Sequence, residues 1–196
     1  LSAPSSRDVL RAARVDFDVD AAAFPHMTFR PGKVADIPAR VARVSFTGEV
    51  SFEISVPADR TSELWEILMK VGEPFGIEPV GVDAWMLLRT EKGYLHVGAD
   101  TDGTTMPQDV GWERVLKRKT DFVGRRSLDL AAARRLDRLQ LVGLRTLDGS
   151  VPPVGTHLGS ATDSQGFVTS SGYSECLGRG VALAMVRGGR ERIGDR

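Results

Sequence analysis

Residues 44–57, Val-Ser-Phe-Thr-Gly-Glu-Val-Ser-Phe-Glu-Ile-Ser-Val-Pro, constrain the fold more than any other stretch of the chain. The pattern on either side of Thr47-Gly48 predicts a strand, a tight turn and a second strand ended by Pro57. Side chains along a strand point alternately to its two faces. Phe52, Ile54 and Val56 therefore share one face, and Glu53 and Ser55 share the other. A carboxylate between two large apolar residues is unusual on a strand otherwise built for a core; either it sits in water or it is placed to hold something. Upstream, Ala42, Val44 and Phe46 alternate with Arg43 and Ser45, which gives the first strand one apolar face.

Helical spacing surrounds this segment. Ser5 or Ser6 can cap a short helix with Val9, Leu10 and Ala13 on one side. Pro31-Gly32, between residues 26–30 and 33–37, reads as a hairpin turn. Asp59 can cap a helix whose Leu64, Ile67, Leu68 and Val71 form a stripe, with Gly72 as its end. A further helix over 83–92 places Ala84, Leu87, Leu88 and Glu91 on one side and stops at Gly93. Strands and helices alternate without a run of parallel-sheet crossovers, so the fold class is α+β.

The texture changes near residues 126–140. Residues 127–139 are rich in Ala, Arg and Leu and read as a connecting helix. Beyond them come short apolar runs at 140–144, 166–170 and 181–186, separated by Asp148-Gly149 and Pro152-Pro153. Short strands at that spacing predict a small antiparallel β-barrel or sandwich module. The expected division is thus residues 1–134 and 135–196. Both ends look cut.

Composition narrows the function classes. Lys+Arg and Asp+Glu balance at 26 each, without the basic excess of a nucleic-acid binder. No apolar run approaches the roughly 20 residues of a membrane span, so neither nucleic acid nor membrane is an expected partner. One cysteine, Cys176, excludes an intrachain disulfide and suits a cytoplasmic setting; it reads as a small buried hydrophobe rather than a nucleophile. Asp100-Thr-Asp102-Gly103 begins like a calcium loop, but Thr105 and Gly111 stand where such a loop needs Gly and Glu. Gly178-Arg-Gly180 leads into a strand, not a helix, which removes a dinucleotide fingerprint. His26, His96 and His157 are isolated and read as surface or turn residues. Arg114, Lys117, Arg118 and Lys119 form a basic cluster with Asp121 beside it, read as a solvated face, with a docking patch for polyglutamate or a partner subunit as the second reading. No metal site is expected.

The 44–57 stretch resembles the Tyr-Thr-Gly-Glu-x-x-Phe-Glu-Ile signature of the folate-binding aminomethyltransferase family, which includes the glycine-cleavage T-protein. Two further stretches are similar to that family. Gly81-Val-Asp-Ala-Trp-Met-Leu-Leu-Arg-Thr-Glu-Lys-Gly93 matches its helix, and Tyr94-Leu-His-Val-Gly-Ala-Asp-Thr-Asp-Gly-Thr-Thr-Met-Pro107 follows without a gap. Val110-Gly-Trp112, Asp121-Phe-Val-Gly-Arg125, Leu141-Val-Gly143 and Val168-Thr-Ser170 continue the series. The wording over 91–105 is closer to the sarcosine oxidase alpha branch than to the T-protein branch.

The resemblance implies a folate-binding domain followed by a β-barrel-like module. It assigns Glu53 to grip the pterin ring and places Phe46 in the same pocket, where the family usually has Tyr. Trp85 stands where the T-protein has an Arg directed to the folate's anionic tail side; a Trp can stack on the aminobenzoyl ring but cannot neutralise a carboxylate. In such proteins, amine oxidation elsewhere yields an iminium, which tetrahydrofolate captures as 5,10-methylenetetrahydrofolate. The flavin and NAD sites of the full complex are expected outside this chain. The family's catalytic Asp lies in a segment without a match here, and Asp16, Asp18 and Asp20 lack its context, so no catalytic residue is assigned and the chain alone is expected to be catalytically silent. Expected partners are folate, other sarcosine oxidase-type subunits or preceding segments, and further copies of the chain as a homo-oligomer. Two alternatives remain: a non-catalytic docking module of an oxidase complex, and a T-protein-like aminomethyltransferase.

Overall fold

The computed structural model describes residues 1–117 and 121–195, and the chain divides into two compact units between Leu88 and Arg89. The architecture is mixed α and antiparallel β, as the α+β expectation requires. No helix among the described residues is long and apolar enough to cross a membrane.

In the first unit, α1 (Ser6–Ala12) buries Val9 and Leu10, with Ala13 beneath its last turn. Ser5 makes no side-chain cap; instead the Ser6 hydroxyl donates to the Ala3 and Val50 carbonyls. Strands β1 (Phe29–Val34), β2 (Ile37–Ala42) and β3 (Glu53–Ser55) form an antiparallel sheet in that order. The expected hairpin turn at Pro31-Gly32 is corrected: both residues lie inside β1, paired with Arg40 and Ala39, and the chain reverses at Ala35-Asp36. Proline is tolerated because β1 is an edge strand. Gly32 is required by close approach, since a Cβ there would lie 2.3 Å from Asp16 Oδ1 and 2.8 Å from the Phe17 ring.

The first strand of the predicted 44–57 hairpin is also corrected. β2 ends at Ala42, and residues 43–52 form an irregular connection turning at Gly48, where φ is +86°. Hydroxyls compete there with ladder bonds. Gly48 N–H donates to Ser45 Oγ (2.8 Å), and Ser2 Oγ lies 2.7 Å from Thr47 Oγ1 and 2.8 Å from Ser51 Oγ.

Helix α2 (Thr61–Gly72) presents the expected stripe: Leu64 is buried, and Ile67, Leu68 and Val71 pack on the same core. Asp59 does not cap it, because a 3-10 turn, Ala58–Arg60, precedes the helix and Arg60 occupies the cap position. The core joins Leu10, Val34, Ile37, Val41, Phe24 and Phe52, with the two phenylalanine rings 5.6 Å apart. Burying each such side chain contributes about 1.5–3 kcal/mol relative to leaving it exposed, so this cluster is the main anchor for β3. Helix α3 (Val82–Lys92) ends at Gly93 as expected (φ +75°), but its expected face is corrected: Ala84, Leu88 and Glu91 are exposed, and Arg89 and Thr90 are buried.

The second unit holds a short helix, α4 (Glu113–Leu116), and strands β4 (Leu139–Arg145), β5 (His157–Gly159), β6 (Ser164–Ser174) and β7 (Arg179–Arg187). They pair antiparallel in the order β4-β7-β6-β5, the sheet expected of the β module. The predicted helix over 127–139 does not form. A 3-10 turn, Arg125–Asp129, is followed by isolated turns, and Leu130 is extended. Helices gain most of their stability from an apolar face packed on a core, and only Ala133 of this segment is buried. Cys176, expected to be buried, is exposed in the turn between β6 and β7. His26, His96 and His157 are exposed, as are Arg114 and Lys117; Arg118 and Lys119 of the basic cluster lie outside the described residues.

Candidate functional site

Glu53 opens β3, paired with Ala42 of β2. Its neighbours fix its direction: Phe52 is almost wholly buried and Ile54 packs on the core, so Glu53 projects from the opposite face and is exposed. Its carboxylate accepts no hydrogen bond among the described residues. Phe52 is itself held by two guanidinium groups, Arg7 at 5.3 Å and Arg43 at 5.4 Å from the ring centroid. Those cations stabilise the ring electrostatically and fix the strand start that carries Glu53.

Glu53, Phe46 and Trp85 line one concavity of the first unit, about 850 Å³ in volume. Phe46 comes from the irregular connection, Glu53 from β3 and Trp85 from the first half of α3. The two aromatic rings stack, with centroids 3.9 Å apart and planes inclined by 28°. They form one continuous wall rather than two faces across a gap, so a flat ligand meets an outer ring face. Sequence reasoning did not single out Trp65, Phe75 and Val80, which also line the concavity and are substantially exposed. Their signal was weak: α2 shows a clear core stripe, and Trp65 lies off it.

The arrangement can bind a ring system that presents N–H donors. An ionised carboxylate accepts such donors in charge-assisted pairs, and aromatic faces stack on the remaining ring area. The volume lies in the range of small-molecule sites, and the lining is mainly apolar, with two carboxylates and six hydroxyl-bearing side chains among it.

The second unit contains a polar cluster that the sequence presented only as scattered motif residues. Arg89 and Asp100 form a buried ion pair at 2.5 Å, with 2% and 0% of their side chains exposed. Thr169 and Ser170 of β6 donate to Asp100 Oδ1 at 2.5 and 2.8 Å, and the His96 N–H donates to Oδ2 at 2.7 Å. Burial raises the Asp100 pKa, but these bonds and the Arg89 charge outweigh it and hold the carboxyl below its ordinary value. Asp102, two residues on, instead accepts from the Thr104 N–H and both Thr104 and Thr105 hydroxyls. Arg138 grips Asp109 through Nε and Nη2 (2.8 and 2.5 Å). A concavity of about 310 Å³ lies among these groups, and its charged side chains are engaged by protein partners.

Comparison with known proteins places the chain in a lineage. The family model described as GCVT N-terminal domain matches residues 1–120, and that described as Glycine cleavage T-protein C-terminal barrel domain matches residues 140–196. The chain is 40% identical over 202 residues to the sarcosine oxidase subunit alpha of Corynebacterium sp. (strain U-96), a match covering 98% of this chain and 21% of that protein. It is 36% identical over 187 residues to the aminomethyltransferase of Streptomyces coelicolor, covering 93% of this chain and 50% of that protein. Among solved structures, the glycine cleavage system aminomethyltransferase T from Bartonella henselae superposes with a TM-score of 0.76 at 26% identity, over 94% of this chain and 49% of that one. The chain thus spans about a fifth of the oxidase subunits and about half of the aminomethyltransferases it matches. With both family domains matched in order, and with whole-chain similarity to oxidase subunits and transferases alike, the chain belongs to the glycine cleavage T-protein family.

Proposed function

We propose that the concavity of the first unit binds a reduced folate and that the chain is the folate-binding portion of a sarcosine oxidase alpha-type subunit. The observation that carries this reading is the meeting of Glu53, Phe46 and Trp85 on one surface, with the Glu53 carboxylate free to accept. The pterin ring presents adjacent N–H donors, and Glu53 is the acceptor for them. The stacked Phe46 and Trp85 offer an apolar face to the ligand's rings. Tetrahydrofolate supplies the N5 and N10 nucleophiles that take up a one-carbon unit as 5,10-methylenetetrahydrofolate. The contribution of this chain is positioning: it holds the ring system in one orientation and excludes water from part of it, which raises the effective concentration of the reacting groups. The one-carbon unit would come from amine oxidation elsewhere in an assembly with other subunits.

The two-module division at residues 1–134 and 135–196 belongs to the same proposal. The family matches over 1–120 and 140–196 support it, whereas the compact units divide between Leu88 and Arg89.

Calorimetric titration of folinic acid into the wild type and Glu53→Gln tests the reading. Loss of a charged hydrogen-bond acceptor should cost about 2–4 kcal/mol of binding. Equal affinities would remove Glu53 from the site. Absence of binding in the wild type would favour a docking module, for which the exposed Trp65 and Phe75 offer surface.

A further inference from the structure

The concavity that suits a ring system offers no cationic side chain to an anionic chain attached to it; its polar side chains other than carboxylates are the hydroxyls of Ser2, Ser5, Ser6, Thr47, Ser51 and Ser55. Among the described residues lining it, Glu53 and Glu78 are the only charged side chains, and both are carboxylates. The α-amino group of Leu1 at its edge is directed to the Phe52 carbonyl at 2.9 Å. Glu78 lies on an exposed segment after the 3-10 turn Glu73–Phe75, where Gly76 reverses the chain with φ +70°. Its neighbours Phe75, Ile77, Pro79 and Val80 line the same concavity and are apolar. The surface is therefore largely apolar and aromatic, edged by neutral hydroxyls, with side-chain charge in two places, both negative.

A reduced folate is an asymmetric ligand. Its ring end carries N–H donors, and its other end carries glutamyl carboxylates, each added glutamate contributing one more negative charge. Glu53 complements the first end. Glu78 is redundant for that task, and its charge opposes the second end. Such repulsion reaches about 8–10 Å at moderate ionic strength and is screened by added salt.

We propose that Glu78 is a specificity-determining residue, which with Trp85 makes this concavity accept the rings of a reduced pterin or monoglutamyl folate and disfavour polyglutamyl folates. Specificity here comes from a built-in repulsion rather than from an added contact. The inference rests on the folate reading above.

The test uses three probes, 6-methyltetrahydropterin, folinic acid and its tetraglutamyl form, titrated anaerobically into the chain at low and at high salt. At low salt the tetraglutamyl form should bind about three- to tenfold more weakly than folinic acid, and the two should converge as salt is raised. Glu78→Gln should shrink that difference, and Glu78→Lys should invert the order. The exposure of Glu78 makes both variants compatible with the fold. Tighter binding of the tetraglutamyl form by the wild type, or a ratio unchanged in both variants, would overturn the role of Glu78 while leaving the folate reading standing. Failure of all three probes to bind would overturn both.

Discussion

At the scale of single residues, the site is made by two side chains that face opposite ways. Phe52 enters the core with two guanidinium groups against its ring, and that anchoring turns its neighbour Glu53 outward, where its carboxylate accepts no hydrogen bond among the described residues. The direction of Glu53 was legible in the sequence, because it follows from strand alternation alone. The contact between Phe46 and Trp85 was not legible as a stack, because it depends on where an irregular connection lies relative to a helix. That stack has a measurable consequence. In a background with Trp65 and Trp112 replaced by Phe, Phe46→Ala should shift the Trp85 emission to longer wavelength by exposing the covered ring face. The same change should weaken folinic acid binding by about 0.5–1.5 kcal/mol, the scale of one aromatic contact. Unchanged emission would place Trp85 away from Phe46 in solution.

At the scale of elements, the sequence carried the apolar stripes well and the backbone devices poorly. The stripe of Leu64, Ile67, Leu68 and Val71 predicted α2, and short β-rich runs predicted β4, β6 and β7. Pro31-Gly32 misled because turn chemistry and edge-strand chemistry use the same two residues. Residues 127–139 misled because helix propensity without a buried face does not make a helix. The buried polar cluster around Asp100 was hidden for a different reason: its members lie up to 81 positions apart, and no periodicity links them. Gly32 separates the two readings of its segment by experiment. In a turn, Gly32→Ala would be mild. Inside β1, the new Cβ meets Asp16, whose carboxylate accepts from the Lys33 N–H at 2.7 Å, and the Phe17 ring. Chemical denaturation should show Gly32→Val destabilised by about 1–3 kcal/mol through overpacking. Gly103→Ala, with open space around its Cβ, is the control and should be neutral or slightly stabilising.

At the scale of the whole molecule, the Arg89–Asp100 pair sets an acid limit on the second unit. The Asp100 carboxyl is held below its ordinary value in the folded state, so the unfolded chain binds its proton at higher pH than the folded one. Its contribution is therefore complete above the unfolded value of about 3.9 and is lost as pH falls through the lower folded value. Thermal unfolding followed from pH 7 to pH 3 should show a steep loss below about pH 4. Asp100→Asn should start about 3–5 kcal/mol less stable, because Arg89 is left buried without its counter-ion, and should lack the steepest part of that acid response. An acid response identical to that of the wild type would show that other carboxylates govern it. The same scale brings a practical matter of covalent chemistry. The single thiol of the chain, Cys176, stands at a hairpin tip open to solvent. Air oxidation there would tie two molecules tip to tip through a disulfide, giving a species of twice the mass that reports on oxygen rather than on assembly. That same tip gives a maleimide dye one place to attach, so each chain would carry a single reporter at a known position.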